Sequence, residues 1–130
     1  MKTKILITGV KGVVGSKLEE IFLNRGYAVF GIDLMHANKN YGHGLGGVTN
    51  DNYFRCDISK FRQIQDVIEY VKPDMIYNCA AEFGRWNGEH FYEQVWNTNV
   101  IGLKHIIRLQ EKYKFKLVHF SSSEVYGDYH

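Results

Sequence analysis

The sequence predicts an α/β fold, a doubly wound parallel sheet with five strands expected in residues 1–130. Three observations carry that expectation. Short β-branched runs alternate with stretches whose apolar residues recur at helical spacing. No two adjacent strand-like runs are joined by a hairpin signal such as Asn-Gly, so the connections read as crossovers between parallel strands. The first strand-to-helix turn, ITGVKGVVG, places glycines at 9, 12 and 15.

Each element follows in chain order. Lys4–Thr8 (KILIT) is an apolar, β-branched run stopped by glycine, which reads as a buried strand. Val14, Leu18, Ile21 and Phe22 then recur at helical spacing, and Gly26 supplies the stop. Tyr27–Ile32 is a second strand, closed by Asp33. Residues 34–52 are rich in glycine and asparagine without apolar period, a loop long enough to call for a functional reason. Tyr53–Cys56 reads as a third strand, and Ser59 offers an N-cap to a helix whose Phe61, Ile64, Val67, Ile68 and Val71 share one face. Pro73 separates that helix from a fourth strand, Met75–Asn78. An aromatic loop, EFGRWNGEHFY, leads to a long helix from about Glu93 to Tyr113, and Leu117–Ser121 is the fifth strand. In the loop, Trp86, Phe91, Tyr92 and Trp96 are expected mainly to cover the core beside the long helix, one of them lining a ligand pocket at most.

Composition narrows the function. The 130 residues suit one domain, and 45% apolar with 23% charged residues are ordinary globular values. The net charge of +2 is spread along the chain, so neither nucleic acid nor a membrane surface is an expected partner. No run approaches the ~20 apolar residues of a membrane span. Two cysteines outside any small secreted scaffold make a reducing, cytoplasmic setting the default. The six histidines lack ligand spacing, and no metal site is expected.

The glycine turn carries the first chemistry. Spacing of this kind alone is weak, but here a strand precedes it, a helix follows, and an acid closes the next strand. Gly9 permits the tight turn, Gly12 lets backbone approach a pyrophosphate, and Gly15 lets helix and strand pack closely. The helix start at Val13 and Val14 presents free N–H groups and a positive dipole end to the anion. Asp33 accepts the hydroxyls of an adenosine ribose, and neither Leu34 nor Met35 is the arginine that a 2′-phosphate needs. These features imply NAD rather than NADP, with Lys39 and His43 as the residues able to reverse the preference.

TGVKGVVG, Asp33, CDI at 56–58, NCAA at 78–81, NTNVIG at 97–102 and SSSEVYG at 121–127 occur in this order. Together they resemble the extended short-chain dehydrogenase/reductases, the NAD-dependent epimerases and dehydratases of nucleotide sugars, over the whole chain. That resemblance implies a Rossmann-type domain over residues 1–130 and a nucleotide-sugar substrate handled by transient hydride transfer through a 4-keto sugar. It places Asp57 and Ile58 beside the adenine, and Ala80 and Ala81 along the phosphates and nicotinamide ribose. Asn99 falls at the family's helix asparagine and is counted among the cofactor-binding residues, with a role more in tying helix to sheet than in chemistry. Ser122 takes the place of the catalytic Ser/Thr, whose hydroxyl shares a proton with the sugar oxygen. Glu124 matches an acid found in dehydratases and uronate decarboxylases and absent from many simple 4-epimerases; a solvated loop glutamate is the alternative.

The family's base, the tyrosine of Tyr-x-x-x-Lys, has no counterpart here: no tyrosine is followed by lysine four positions on. The chain thus resembles the first half of such an enzyme, which implies a homodimer as the whole protein. By itself it is expected to be inactive on sugar nucleotides. A non-catalytic dinucleotide-binding module remains the alternative function.

Overall fold

A computed structural model describes residues 1–37 and 52–127. Most of the expected 34–52 loop, with Lys39 and His43, lies outside those residues. Five strands form one sheet: β1 (Lys4–Thr8), β2 (Ala28–Asp33), β3 (Tyr53–Arg55), β4 (Met75–Asn78) and β5 (Lys116–His119). Their order is β3-β2-β1-β4-β5 and every pairing is parallel. The chain winds outward from β1 through β2 and β3, then returns past β1 to add β4 and β5. The expected doubly wound α/β sheet is therefore present, with each strand end within two residues of its expected place.

β1 is central, and its residues from Ile5 to Thr8 are all buried. A strand covered on both faces needs no polar alternation, which is why KILI reads as an unbroken apolar run. One face carries Ile5 and Ile7 with Val10, Val29 and Tyr53, and α1 (Val13–Asn24) closes it through Phe22. The other face carries Leu6, Ile32 and Ile76. There α2 (Phe61–Val71) packs Ile64, Val67, Ile68 and Val71, and α5 (Leu103–Tyr113) packs Ile106 and Leu109.

Three local expectations are corrected. Ser59 does not cap α2: its amide and hydroxyl both donate to the Asp57 carboxylate, at 2.9 and 2.7 Å, and the helix starts from Lys60. An aspartate two residues upstream outcompetes the distant helix amides for the serine. Val14 does not join the core stripe of α1, because the first helical turn projects beyond the strand ends. The long helix is interrupted: α4 (Tyr92–Trp96) passes into a π-helical segment, Asn97–Gly102, before α5 begins.

The aromatic loop also differs from expectation. It contains a short helix, α3 (Arg85–His90), and Trp86, Phe91, Tyr92 and Trp96 are all exposed. They do not cover the core, because α4 buries none of its residues and packs chiefly on α3 and the π-helical segment.

The core makes one clear stability prediction. Ile76 is fully buried in β4 between the central strand and the edge. Ile76→Ala should cost about 2–5 kcal/mol, the range for large-to-small core truncation. Urea unfolding checks this, and a cost under about 1 kcal/mol would contradict the packing described.

Candidate functional site

The C-terminal ends of β1, β2 and β4 open into a cleft of about 510 Å³. It lies where the winding direction reverses between β1 and β4, the place where open parallel sheets bind ligands. Gly9, Gly12, Val13, Val14 and Gly15 form one wall, Asp33 and Leu34 one end, Asp57 and Ile58 the floor nearby, and Ala80 and Ala81 the opposite wall. All the residues expected at a cofactor except Asn99 thus line one cleft.

The glycine wall is built by close approach. Gly9 turns with φ +65°, and a Cβ there would stand 2.8 Å from the Ala80 amide nitrogen. A Cβ on Gly15 would meet the Gly9 carbonyl oxygen at 2.2 Å, so only glycine lets α1 start this near the strand. Gly12 precedes α1 with extended backbone, and no side chain caps the helix. Its first amides face the cleft with the positive end of the helix dipole, a ready anion site.

Asp33 is buried, and two backbone amides hold its carboxylate: Lys11 N–H on Oδ2 at 3.0 Å and Leu34 N–H on Oδ1 at 2.8 Å. The chain beyond it is gripped as well. Arg55 Nε donates to the Leu34 carbonyl at 2.9 Å, and the Tyr53 hydroxyl donates to that of Met35. The Lys11 ammonium, seated over the Tyr53 ring, donates to the carbonyls of His36 and Ala37 at 3.1 and 2.9 Å. Four successive carbonyls are thereby held by three side chains from neighbouring elements.

Asp57 spends its carboxylate on Ser59, while its own amide donates to Gln63 Oε1 at 2.8 Å. Ile58 is pinned from behind, since a Cβ on Gly102 would meet its side chain at 2.6 Å. The His105 ring also bonds the Ile58 carbonyl at 2.8 Å. Asn99 does not line the cleft itself but backs it: its side-chain amide pairs with the Glu82 backbone in both directions, at 2.9 and 2.8 Å. It braces the chain leaving β4, as a helix-to-sheet tie should.

Ser122 and Glu124 lie on the exposed exit of β5 and do not line the cleft. Ser122 Oγ accepts the Glu124 amide at 3.2 Å and caps a short 3-10 turn, Ser123–Tyr126, that sequence reasoning missed. Also missed were Cys56, Cys79, Glu82, Phe83 and Thr98, all of which line the cleft. Position at the end of a predicted strand was the signal available for the cysteines. Thr98 had none, because its placement depends on the π-helical turn. Among the described residues no cluster of His, Cys, Asp or Glu is arranged to hold a metal, and no helix is long and apolar enough to cross a membrane.

Comparison with known proteins follows the same outline. Residues 5–130 match the model of the NAD dependent epimerase/dehydratase family. The chain is 30% identical over 131 residues to UDP-glucuronic acid decarboxylase 1 of Danio rerio, covering 98% of this chain and 29% of that protein. It is 28% identical over 133 residues to Protein CapI of Staphylococcus aureus, covering 95% and 39% respectively. The chain therefore spans about a third of the length of these curated relatives. In fold it is similar to the Bordetella bronchiseptica enzyme WbmG, crystallised in complex with NAD, with a TM-score of 0.82 at 23% identity over 98% of this chain and 40% of that one.

The cleft's two thiols have a measurable consequence. Burial pushes Cys56 up to about 12, helped by Asp57 and Asp66, and burial alone pushes Cys79 up to about 12. Both are therefore neutral thiols at neutral pH, and disulfide-exchange reagents should label the native chain far more slowly than the urea-unfolded chain. Because the folded form holds these protons more tightly, their contribution to stability is complete below the ordinary value of 9.0 and is lost as pH climbs toward about 12. Equal labelling rates in native and unfolded chain would contradict this.

Proposed function

The chain belongs to the NAD-dependent epimerase/dehydratase family, and on that premise we propose that it is the NAD-binding part of a nucleotide-sugar epimerase, dehydratase or decarboxylase. The observation that carries the proposal is the cleft at the strand ends, whose lining joins the start of α1, with no side-chain cap at Gly12, to a buried carboxylate held by two N–H groups. NAD fits that cleft on the evidence of its walls. The glycine turn leaves no Cβ between backbone and a pyrophosphate, and Asp33 places a carboxylate at one end of the same cleft, where it suits a ribose diol. A 2′-phosphate would face the same carboxylate.

When bound, NAD supplies hydride acceptance and return. The chain's own residues bind and orient, and the base of Tyr-x-x-x-Lys is not among them. Gly9 to Gly15 with the start of α1 bind the pyrophosphate, Asp33 orients the adenosine ribose, and Ile58, beside Asp57, offers an apolar wall to the adenine. Ser122 holds the hydroxyl being oxidised and shares its proton. Glu124, two residues on, is the carboxyl we assign to moving a proton on the 4-keto sugar, in elimination or in loss of CO₂. Among the relatives, UDP-glucuronic acid decarboxylase 1 and the UDP-N-acetyl-alpha-D-glucosaminuronate decarboxylase of Bacillus cytotoxicus support the decarboxylating version. WbmG, also crystallised with NAD and UDP, supports a nucleotide-linked substrate.

Two further readings belong to this proposal. The exposed ridge Tyr92, Trp96, Val100 and Ile107, running along α4, the π-helical segment and α5, supports a homodimer. Free Cys56 and Cys79 suit the reducing cytoplasm.

Calorimetry with NAD and NADP tests the cofactor assignment. The wild-type chain should prefer NAD, and Asp33→Ala should weaken NAD by about 1–3 kcal/mol, the scale for losing hydrogen bonds to a charged group. Equal or tighter binding of NADP by the wild type would overturn the assignment.

A further inference from the structure

At the C-terminal end of the sheet, Thr8, Asn78 and His119 stand side by side on β1, β4 and β5, paired in register. They close the apolar row of Leu6, Ile76 and Leu117 immediately behind them. The Ala80 amide donates to Thr8 Oγ1 at 3.1 Å, Thr8 Oγ1 lies 2.5 Å from Asn78 Oδ1, and Asn78 Nδ2 lies 3.1 Å from His119 Nδ1.

The proton order along this row can be deduced. Thr8 is fully buried and has one hydroxyl proton. Its oxygen already accepts from Ala80, so the proton goes to Asn78 Oδ1. That orients the amide, leaving Nδ2–H toward the imidazole. His119 Nδ1 must then be an acceptor, and the ring proton sits on Nε2. The flipped amide would strand the Thr8 proton in a buried site without an acceptor among the described residues, which is costly.

The row matters because β5 is the edge strand among the described residues. Beyond His119, among the described residues, the chain is held to β4 by one long backbone bond, Phe120 N–H to the Asn78 carbonyl at 3.4 Å. Phe120, Ser121 and Ser122 are exposed. The side-chain bond from His119 to Asn78 is thus the tie that sets where the Ser122 turn leaves the sheet.

We propose that His119 is a positioning residue for Ser122, held as the Nε2–H tautomer by the Thr8–Asn78 pair. Its importance for turnover rests on the assignment of Ser122 to the sugar hydroxyl; the tautomer and the tie do not. Nitrogen-15 NMR of the imidazole in the 130-residue chain reads the tautomer, and amide exchange at Phe120 reads the tie. The wild type should show a bare Nδ1. Asn78→Asp offers carboxylate oxygens to both neighbours, so His119 should move its proton to Nδ1. Thr8→Val, which frees the amide to turn over, should populate the same form if the aspartate variant fails to fold. His119→Leu should speed exchange at Phe120 by about tenfold or more, and His119→Asn, which keeps an acceptor, should restore protection. A protonated Nδ1 in the wild type, a tautomer unmoved in the folded Asn78→Asp and Thr8→Val variants, or unchanged exchange in His119→Leu would each overturn the proposal. None of these readouts needs NAD or sugar, so a failure here and a failure of NAD binding are distinguishable.

Discussion

Where β1 leaves the sheet, the backbone of Gly9 turns directly against that of Cys79 and Ala80, with no room for a side chain between them. This contact joins the two halves of the winding. From it the chain reaches Gly12 and the start of α1, which is itself seated against the Gly9 carbonyl through Gly15. Thr8 and Asn78 bond immediately beneath it, and the Ala80 amide returns to Thr8. A bulkier residue at 9 would push β4 from β1 at the level of the cleft, so the walls, the polar row and the helix start would shift together. Packing at this density transmits a misfit rather than absorbing it.

Much of this was legible because the relevant signals are local. The alternation of apolar runs marks strands and helices within a few residues, and the glycine turn reveals itself by standing between a strand and a helix. The cleft lining from Gly9 to Leu34 followed from the same segment. What stayed hidden depends on contacts distant in sequence. Thr98 reaches the cleft by a π-helical turn that no periodicity announces, and Cys79 and Glu82 reach it because β4 lies beside β1. The aromatic loop misled for a related reason. Trp86 and Trp96 have the composition of a core, but the elements carrying them stand off the sheet.

The segment after β2 shows a different economy. Leu34 and His36 are exposed, while the segment's carbonyls are held by Lys11, Tyr53 and Arg55. Three residues outside the segment therefore govern its path more than its own side chains do. This is why Lys11 and Arg55 belong to the architecture of the Asp33 end of the cleft.

The sheet order also dictates a sequence of events during synthesis. β1 pairs with β2 as soon as α1 has formed, but its other neighbour lies seventy residues downstream, the separation of Thr8 from Asn78. Closing so long a loop is slow compared with forming the first crossover, and chains are made from the N-terminus. An emerging polypeptide therefore holds β1, β2 and α1 together while one edge of β1 is bare and the cleft lacks a wall. The glycine turn exists at that stage as a half-site, able to offer amides to an anion but unable to enclose it. An enclosing cleft is consequently acquired only once β4 has docked, and a nascent chain stalled before β4 cannot be rescued by its ligand.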